Sequence, residues 1–191
     1  MTPLVDSAVT LVNPTPPTPY FLSNTILKDA VIYAHPAIPL YKVTSDSKQI
    51  RISDGSTPGR TIAVLRRREL LPNTVSFTQR DGRSQISVQK WLRKTKLPGE
   101  FTGYILQTRY GPYVWKSVSR HRQKVYANHD PNTPIASFYL HQTLSHGTPA
   151  FFLDSGAEPL RDDLVVAYLI QRHRIMMEDK ALKLFAGLPT N

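Results

Sequence analysis

Three cationic runs hold the residue types best suited to chemistry in this 191-residue chain: RRR at 66–68, KWLRKTK at 90–96 and RHRQK at 120–124. Lys and Arg grouped on short segments can counter phosphate charge on a lipid headgroup or a nucleic acid. Trp91, inside the second run, could place an indole at headgroup level or stack on a base. A core position after Val88 is the plainer reading of that indole, and the preferred one. Strand alternation sends Arg66 and Arg68 to one face and Arg67 to the other. If the strand belongs to a closed wall with a filled interior, the triplet must sit at a strand end, where an anion can reach it. The candidate anion-binding residues are therefore Arg66, Arg67, Arg68, Lys90, Arg93, Lys94, Lys96, Arg120, Arg122 and Lys124, each as a counter-charge to a phosphate or headgroup.

The charge distribution agrees with this choice. The formal net charge is +10 at pH 7, and residues 60–124 carry fifteen Lys or Arg against Glu69, Asp81 and Glu100. The segment before them is balanced and the segment after them is slightly acidic. A field confined to one third of a chain attracts polyanions. Outward Lys and Arg also keep a sheet soluble and its edges unpaired, and that bland reading stands beside the first.

Other chemistry has thinner support. His35, His121, His129, His141, His146 and His173 are scattered without a metal-binding spacing; His141 and His146, five apart, are the nearest approach to one. Surface or hydrogen-bonded structural roles explain them better. Asp162 and Asp163 are adjacent carboxylates, yet helix capping accounts for both. Ser155-Gly156 lacks the flanking glycine of a nucleophile elbow, and Gly55, Gly59 and Gly82 make no phosphate-cradling loop. The chain has no cysteine, so disulfides, thiolate metal sites and cysteine nucleophiles are excluded. The expectation is a protein that is not an enzyme and needs no cofactor.

The elements that must position the cations are mostly strands. From about residue 26, short apolar runs alternate with Gly, Pro, Asp and Asn: ILKDAVIY, PLYKVT, KQIRIS, RTIAVLRR, TVSFTQ, SQISVQKWL, FTGYILQTR, YVWKSVS, QKVYANH, IASFYLHQ and AFFLD. That spacing predicts a sandwich or barrel, not βαβ units. With Asp81-Gly82 as a two-residue turn, Phe77 faces Ile86 and Val75 faces Val88, which sorts the apolar side chains onto one face. RYGPYVWK predicts a second turn at Gly111-Pro112. Upstream, NPTPPTP predicts an extended tail over residues 1–24, and its Pro14–Pro19 spacings would suit a polyproline-binding protein partner.

RDDLVVAYLIQRHR, at 161–174, predicts a helix opened by Asp162 or Asp163 and ended near Gly187. Seven successive apolar residues, Leu164 to Ile170, leave it no wet face, so protein must surround it. They are too few to cross a bilayer. The economical solution is a closed antiparallel β-barrel of about 11–12 strands around a buried C-terminal α-helix, forming one domain over residues 25–187.

PLYKV, ISVQKWLRK, FTGYILQTRYGPYVWK, VYANHDPNTPIASFYLHQ and PAFFLDSGAEPLRDDLVVAYLIQRHR occur in an order that resembles an uncharacterised domain family of mushroom-forming fungi, itself similar to the tubby C-terminal and phospholipid-scramblase-like barrels. The resemblance covers roughly residues 30–180. One departure is Arg109-Tyr110-Gly111-Pro112, where the family commonly has an Asp-Gly pair before its Trp-Lys strand. The resemblance implies a barrel around a helix, and no assigned activity. By analogy of fold, tubby-type relatives bind phosphoinositides and scramblase-type relatives associate with membranes. The expected function is a non-catalytic module binding phosphoinositides or an acidic membrane surface through residues 60–124. A scaffold module recruited through the Pro-rich tail and a nucleic-acid binder are the alternatives. The N-terminus shows no signal peptide, so an intracellular location, cytoplasmic or peripheral to a membrane, is expected.

Overall fold

Alternating apolar and polar side chains turn most of the chain into strands, and the computed structural model joins thirteen of them in one antiparallel sheet. It describes residues 15–24, 27–35, 38–68, 72–79, 85–97, 102–140 and 148–186. The strands are β1 (Thr18–Leu22), β2 (Ala30–His35), β3 (Ile38–Ser45), β4 (Gln49–Asp54), β5 (Thr61–Arg66), β6 (Thr74–Phe77), β7 (Ile86–Ser87), β8 (Leu92–Lys96), β9 (Thr102–Thr108), β10 (Gly111–Ser119), β11 (Arg122–Ala127), β12 (Asp130–Tyr139) and β13 (Phe151–Leu153). A four-residue helix, α1 (Val88–Trp91), separates β7 from β8. After β13 a 3₁₀ turn over Ser155–Leu160 feeds the 25-residue α2 (Arg161–Phe185).

Sequence neighbours pair except β7 and β8, and β1 also pairs with β13. The ladder ends at β7 on one side and β8 on the other, so the sheet is not closed into a barrel. This corrects the closed wall of 11–12 strands. The cause is local: β7 has only two residues before VQKW turns helical, leaving β8 no edge to pair with. Helix α1 stands between the two edges and buries Val88 and Trp91, the indole lying 5.3 Å from the Phe77 ring.

Two strands lie outside the expected set. LRKTK forms β8, an edge position that Lys and Arg suit. TPYFL forms β1, which corrects the expectation of a tail reaching residue 24. Pro19 is tolerated because pairing with β2 covers only Phe21 and Leu22, so its missing N–H leaves no ladder bond unmade. Residues 1–14 are outside the described residues.

Two turns also differ from expectation. Val75 pairs with Ile86, not Val88, and Thr74 with Ser87. A slip of two residues keeps each side chain on its face, so Val75 and Phe77 still point into the core; Asp81-Gly82 itself lies outside the described residues. Gly111 already pairs with Thr108, so Arg109 and Tyr110 make the turn that Gly111-Pro112 was expected to make. Gly111 opens β10 at φ +107°, a conformation that favours glycine.

The closing helix is buried on all sides over Leu164–Ile170, and burial continues through Gln171 and Arg172. Ten consecutive buried residues, 163–172, span nearly three turns, so the curled sheet must meet α2 all round. Phe138 and Phe151 pack on Tyr168 with ring centroids 5.6 and 5.0 Å away. Asp162 and Asp163 occupy the first turn of α2, not its cap, which is Leu160. The cap belongs to the preceding 3₁₀ turn, where Asp154 Oδ1 accepts the Gly156 N–H at 3.2 Å.

Candidate anion-binding surface

Antiparallel strands put every second connection at the same end of the sheet. β5 finishes, β6 starts, β7 and β8 finish, β9 starts, β10 finishes and β11 starts at one end, here called the lower end. Helix α2 leaves the sheet there. Asp179 forms an ion pair with Arg120, just after β10, and Arg174 lies over the Tyr104 ring of β9 at 5.5 Å. His173 is held below the usual imidazole range, chiefly by burial and then by the charge of Arg67.

The candidate residues distribute unevenly over this frame. Arg66, Arg67, Arg68, Lys96, Arg120 and Arg122 are all at the lower end, with Lys94 two residues above Lys96. Lys90 is exposed on α1, beside Ser87 at the lower end of β7. Arg93 and Lys124 lie farther up their strands, paired with Ile105 and with Lys116 and Ser137. Several serve the fold as well. Arg67 donates to Ser45 Oγ and the Asp46 carbonyl, both at 3.1 Å. Arg68 donates to Gln85 Oε1 at 3.0 Å, and Arg122 sits over the Tyr139 ring at 5.5 Å. Among the candidate residues, the exposed cations without such work in the described contacts are Arg66, Lys90, Arg93, Lys94 and Lys96.

Acidic groups gather at the opposite, upper end, where α2 begins: Asp54, Asp130, Asp154, Glu158, Asp162 and Asp163. Asp54 and Asp130 are held below the usual carboxylate range, first by the hydroxyls of Ser56 and Thr133. Among the described residues, Asp29 and Asp46 are the acids at the connections of the lower end, with Glu178 and Asp179 on the helix that emerges there, and backbone N–H groups of Lys48 and Gln49 hold Asp46 ionised. The molecule is thus polarised along α2.

A polar network closes the upper end. Tyr20 donates to Glu158 Oε1 at 2.8 Å, Arg161 donates to Glu158 Oε2 and to the Tyr41 hydroxyl, both at 3.0 Å, and Tyr41 donates to Asp162 Oδ1 at 2.5 Å. Burial and then Glu158 push Tyr20 up to about 12; burial and then the Asp162 charge push Tyr41 up as well. Both phenols are neutral donors at ordinary pH, a pinning role. The adjoining cavity, lined by Ile62, Phe77, Gln79, Arg109, Pro159, Asp162 and Asp163, measures about 40 Å³. That is room for water, far below the few hundred Å³ of a ligand pocket.

A larger concavity lies on the outer face of β4, β5 and β6. It measures about 480 Å³ and is lined by Arg51, Arg60 and Arg66 with Thr61, Ser76 and Thr78. Asp54 already pairs with Arg60 at 3.2 Å. Of the three arginines, the sequence reading held only Arg66. The alternation of QIRIS sends Arg51 outward, and the hairpin returning after Asp54 brings Arg60 opposite Asp54, on the lining of the same concavity; both signals were present in the sequence. His141 and His146 are outside the described residues.

No curated protein and no solved structure matches the chain significantly. A family model described as a family of unknown function (DUF6593) matches residues 22–177, a span from the end of β1 to the point where α2 leaves the sheet. The chain belongs to this family, DUF6593.

Proposed function

We propose that this protein is a non-catalytic module that binds the anionic surface of a phospholipid membrane, phosphoinositide headgroups included, through the lower end of its sheet. One observation carries the reading: Arg66, Arg68, Lys94, Lys96 and Arg122 collect at the end from which α2 emerges, while six of the ten described carboxylates collect at the other. Such a polarised field orients the molecule toward a negative surface, and each cation near that surface contributes about 1 kcal/mol. The Arg51–Arg66 concavity supplies a place for a phosphorylated headgroup. An interior filled by α2 supports a role without catalysis. Kinship with the tubby and scramblase-like barrels, and a location on the intracellular side of a membrane, belong to the same reading.

Vesicle sedimentation tests it. The protein should pellet with phosphatidylcholine vesicles only when they carry phosphatidylserine or a phosphoinositide, and should release as salt rises. The charge reversals Lys94→Glu, Lys96→Glu and Arg122→Glu should weaken pelleting, whereas Arg109→Glu at the upper end should not. Equal pelleting with neutral and acidic vesicles at low salt would end the proposal.

A further inference from the structure

Burial on α2 stops at Ile175, and of the ten helical residues that follow none is buried and seven are exposed. Met177, Leu182, Leu184 and Phe185 are 54%, 56%, 62% and 91% exposed. At 100° per residue Met177, Ala181, Leu184 and Phe185 fall within an arc of about 100°, and Leu182 lies about 60° beyond it with the exposed Glu178 between. Met176, Asp179 and Lys183, on the other side, are half-buried, and Asp179 is tied to Arg120 on the rim of the sheet. The segment is therefore amphipathic in the inverse sense for a free-standing protein: the side carrying Asp179 and Lys183 leans on its own rim, and the side that faces out is apolar apart from Glu178 near its margin.

We infer that this outward face of α2, from Met177 to Phe185, is a membrane anchor that sinks into the interfacial layer of an anionic bilayer while the lower-end cations hold the headgroups. The inference rests on the function proposed above and adds the part that enters the lipid. Charge complementarity selects the occupant. Lys94, Lys96, Arg66 and Arg122 lie at the end where the segment emerges; on the segment itself Lys180 and Lys183 balance Glu178 and Asp179, so the positive charge is supplied by the rim of the sheet. A second copy docking on the same face would bring two cationic ends together, which like-charge repulsion opposes. An acidic bilayer offers the apolar layer and the counter-charge at one surface. Among the described residues no helix is long and apolar enough to cross a membrane, so the face is shaped to lie at the boundary.

The full chain tests this with vesicles of phosphatidylcholine, with and without phosphatidylserine, and acyl chains brominated at known depth. Trp91 and Trp115 are both buried in the core, so a Phe185→Trp variant reports on the helix end against the parent's background. The bromines should quench its added fluorescence, and Leu184→Asp with Phe185→Asp should weaken binding at least about tenfold. Both positions are exposed, so the doubly substituted chain should keep the parent's melting temperature. If the parent fails to bind acidic vesicles, the proposed function falls and the anchor with it. If binding responds to Lys94→Glu and Lys96→Glu but ignores Leu184→Asp with Phe185→Asp, and the fluorescence added by Phe185→Trp is unquenched, the anchor alone is overturned. A concentration-dependent dimer abolished by that pair, again without quenching, would assign the face to a second copy and overturn the anchor equally.

Discussion

The Tyr41 hydroxyl donates to Asp162 Oδ1 at 2.5 Å across 121 positions of sequence. The Tyr41 hydroxyl oxygen also accepts from Arg161 Nε at 3.0 Å, so one phenol on β3 fixes the first turn of α2 in position and rotation. The pinning sets where the other end of the helix comes out. A straight helix held at its first turn and gripped by the sheet through Arg172 must deliver Asp179 to Arg120 and its uncovered turns beyond the basic rim.

Tyr41→Phe removes the shared hydroxyl and leaves Asp162 and Arg161 short of a partner in a partly buried site. The expected loss is about 1–3 kcal/mol of stability. Urea denaturation should show a lower midpoint with an unchanged slope. Tyr20→Phe should cost less, because its partner Glu158 is 40% exposed at the side chain and water can replace the phenol.

Gly55 follows β4, where the backbone approaches β3 too closely for any side chain. A Cβ there would stand 2.4 Å from the Pro39 oxygen and 2.9 Å from the Leu40 carbonyl carbon. Both are main chain and cannot rotate away, and the Gly55 N–H is already bonded to the Leu40 oxygen at 2.8 Å. Gly55→Ala should therefore destabilise by about 1–3 kcal/mol, visible as a lower melting temperature. A neutral result would mean that the β3–β4 pair has slack that this geometry lacks.

Much of this was legible because it is periodic. Eleven strands have the expected order, and Leu164–Ile170 required a surrounded helix on sequence grounds alone. The failures are places where local signals compete with distant ones. VQKW reads as the end of a strand but turns helical, since its Trp91 reaches the Phe77 ring by filling the gap between sheet edges. Proline marked Thr18–Leu22 as tail, yet its strand needs no donor on the side where proline lacks one. Composition identifies the cations but says nothing of which of them share an end. That depends on strand direction, and so does the grouping of Arg51 and Arg60.

His173 gives the molecule a pH dependence of definite sign. Burial and the Arg67 charge lower its folded pKa from 6.5, so between that depressed value and 6.5 the unfolded chain binds more protons than the native one. Stability then rises with pH through this window and is lost as pH falls from 6.5 toward the folded pKa. His173→Gln should flatten the slope of unfolding free energy between about pH 5 and 7, read by urea titration at several pH values. A slope unchanged by the substitution would place the titrating group elsewhere.

The outer concavity makes the sharpest distinction between a headgroup site and a merely basic surface. Inositol trisphosphate, a soluble stand-in for a phosphorylated headgroup, should raise the melting temperature. At about a hundredfold excess over the dissociation constant, mass action supplies about 2.7 kcal/mol. Arg51→Ala and Arg66→Ala should each reduce that shift, since both guanidinium groups line the concavity. Arg60→Ala should reduce it less, because Asp54 already offsets that charge at 3.2 Å, and Arg109→Ala at the upper end should leave it intact. Sulfate at matched ionic strength controls for general screening. If sulfate reproduces the shift, or all four variants retain it, the three arginines are surface charge without a shared ligand, and the headgroup part of the proposal loses its site.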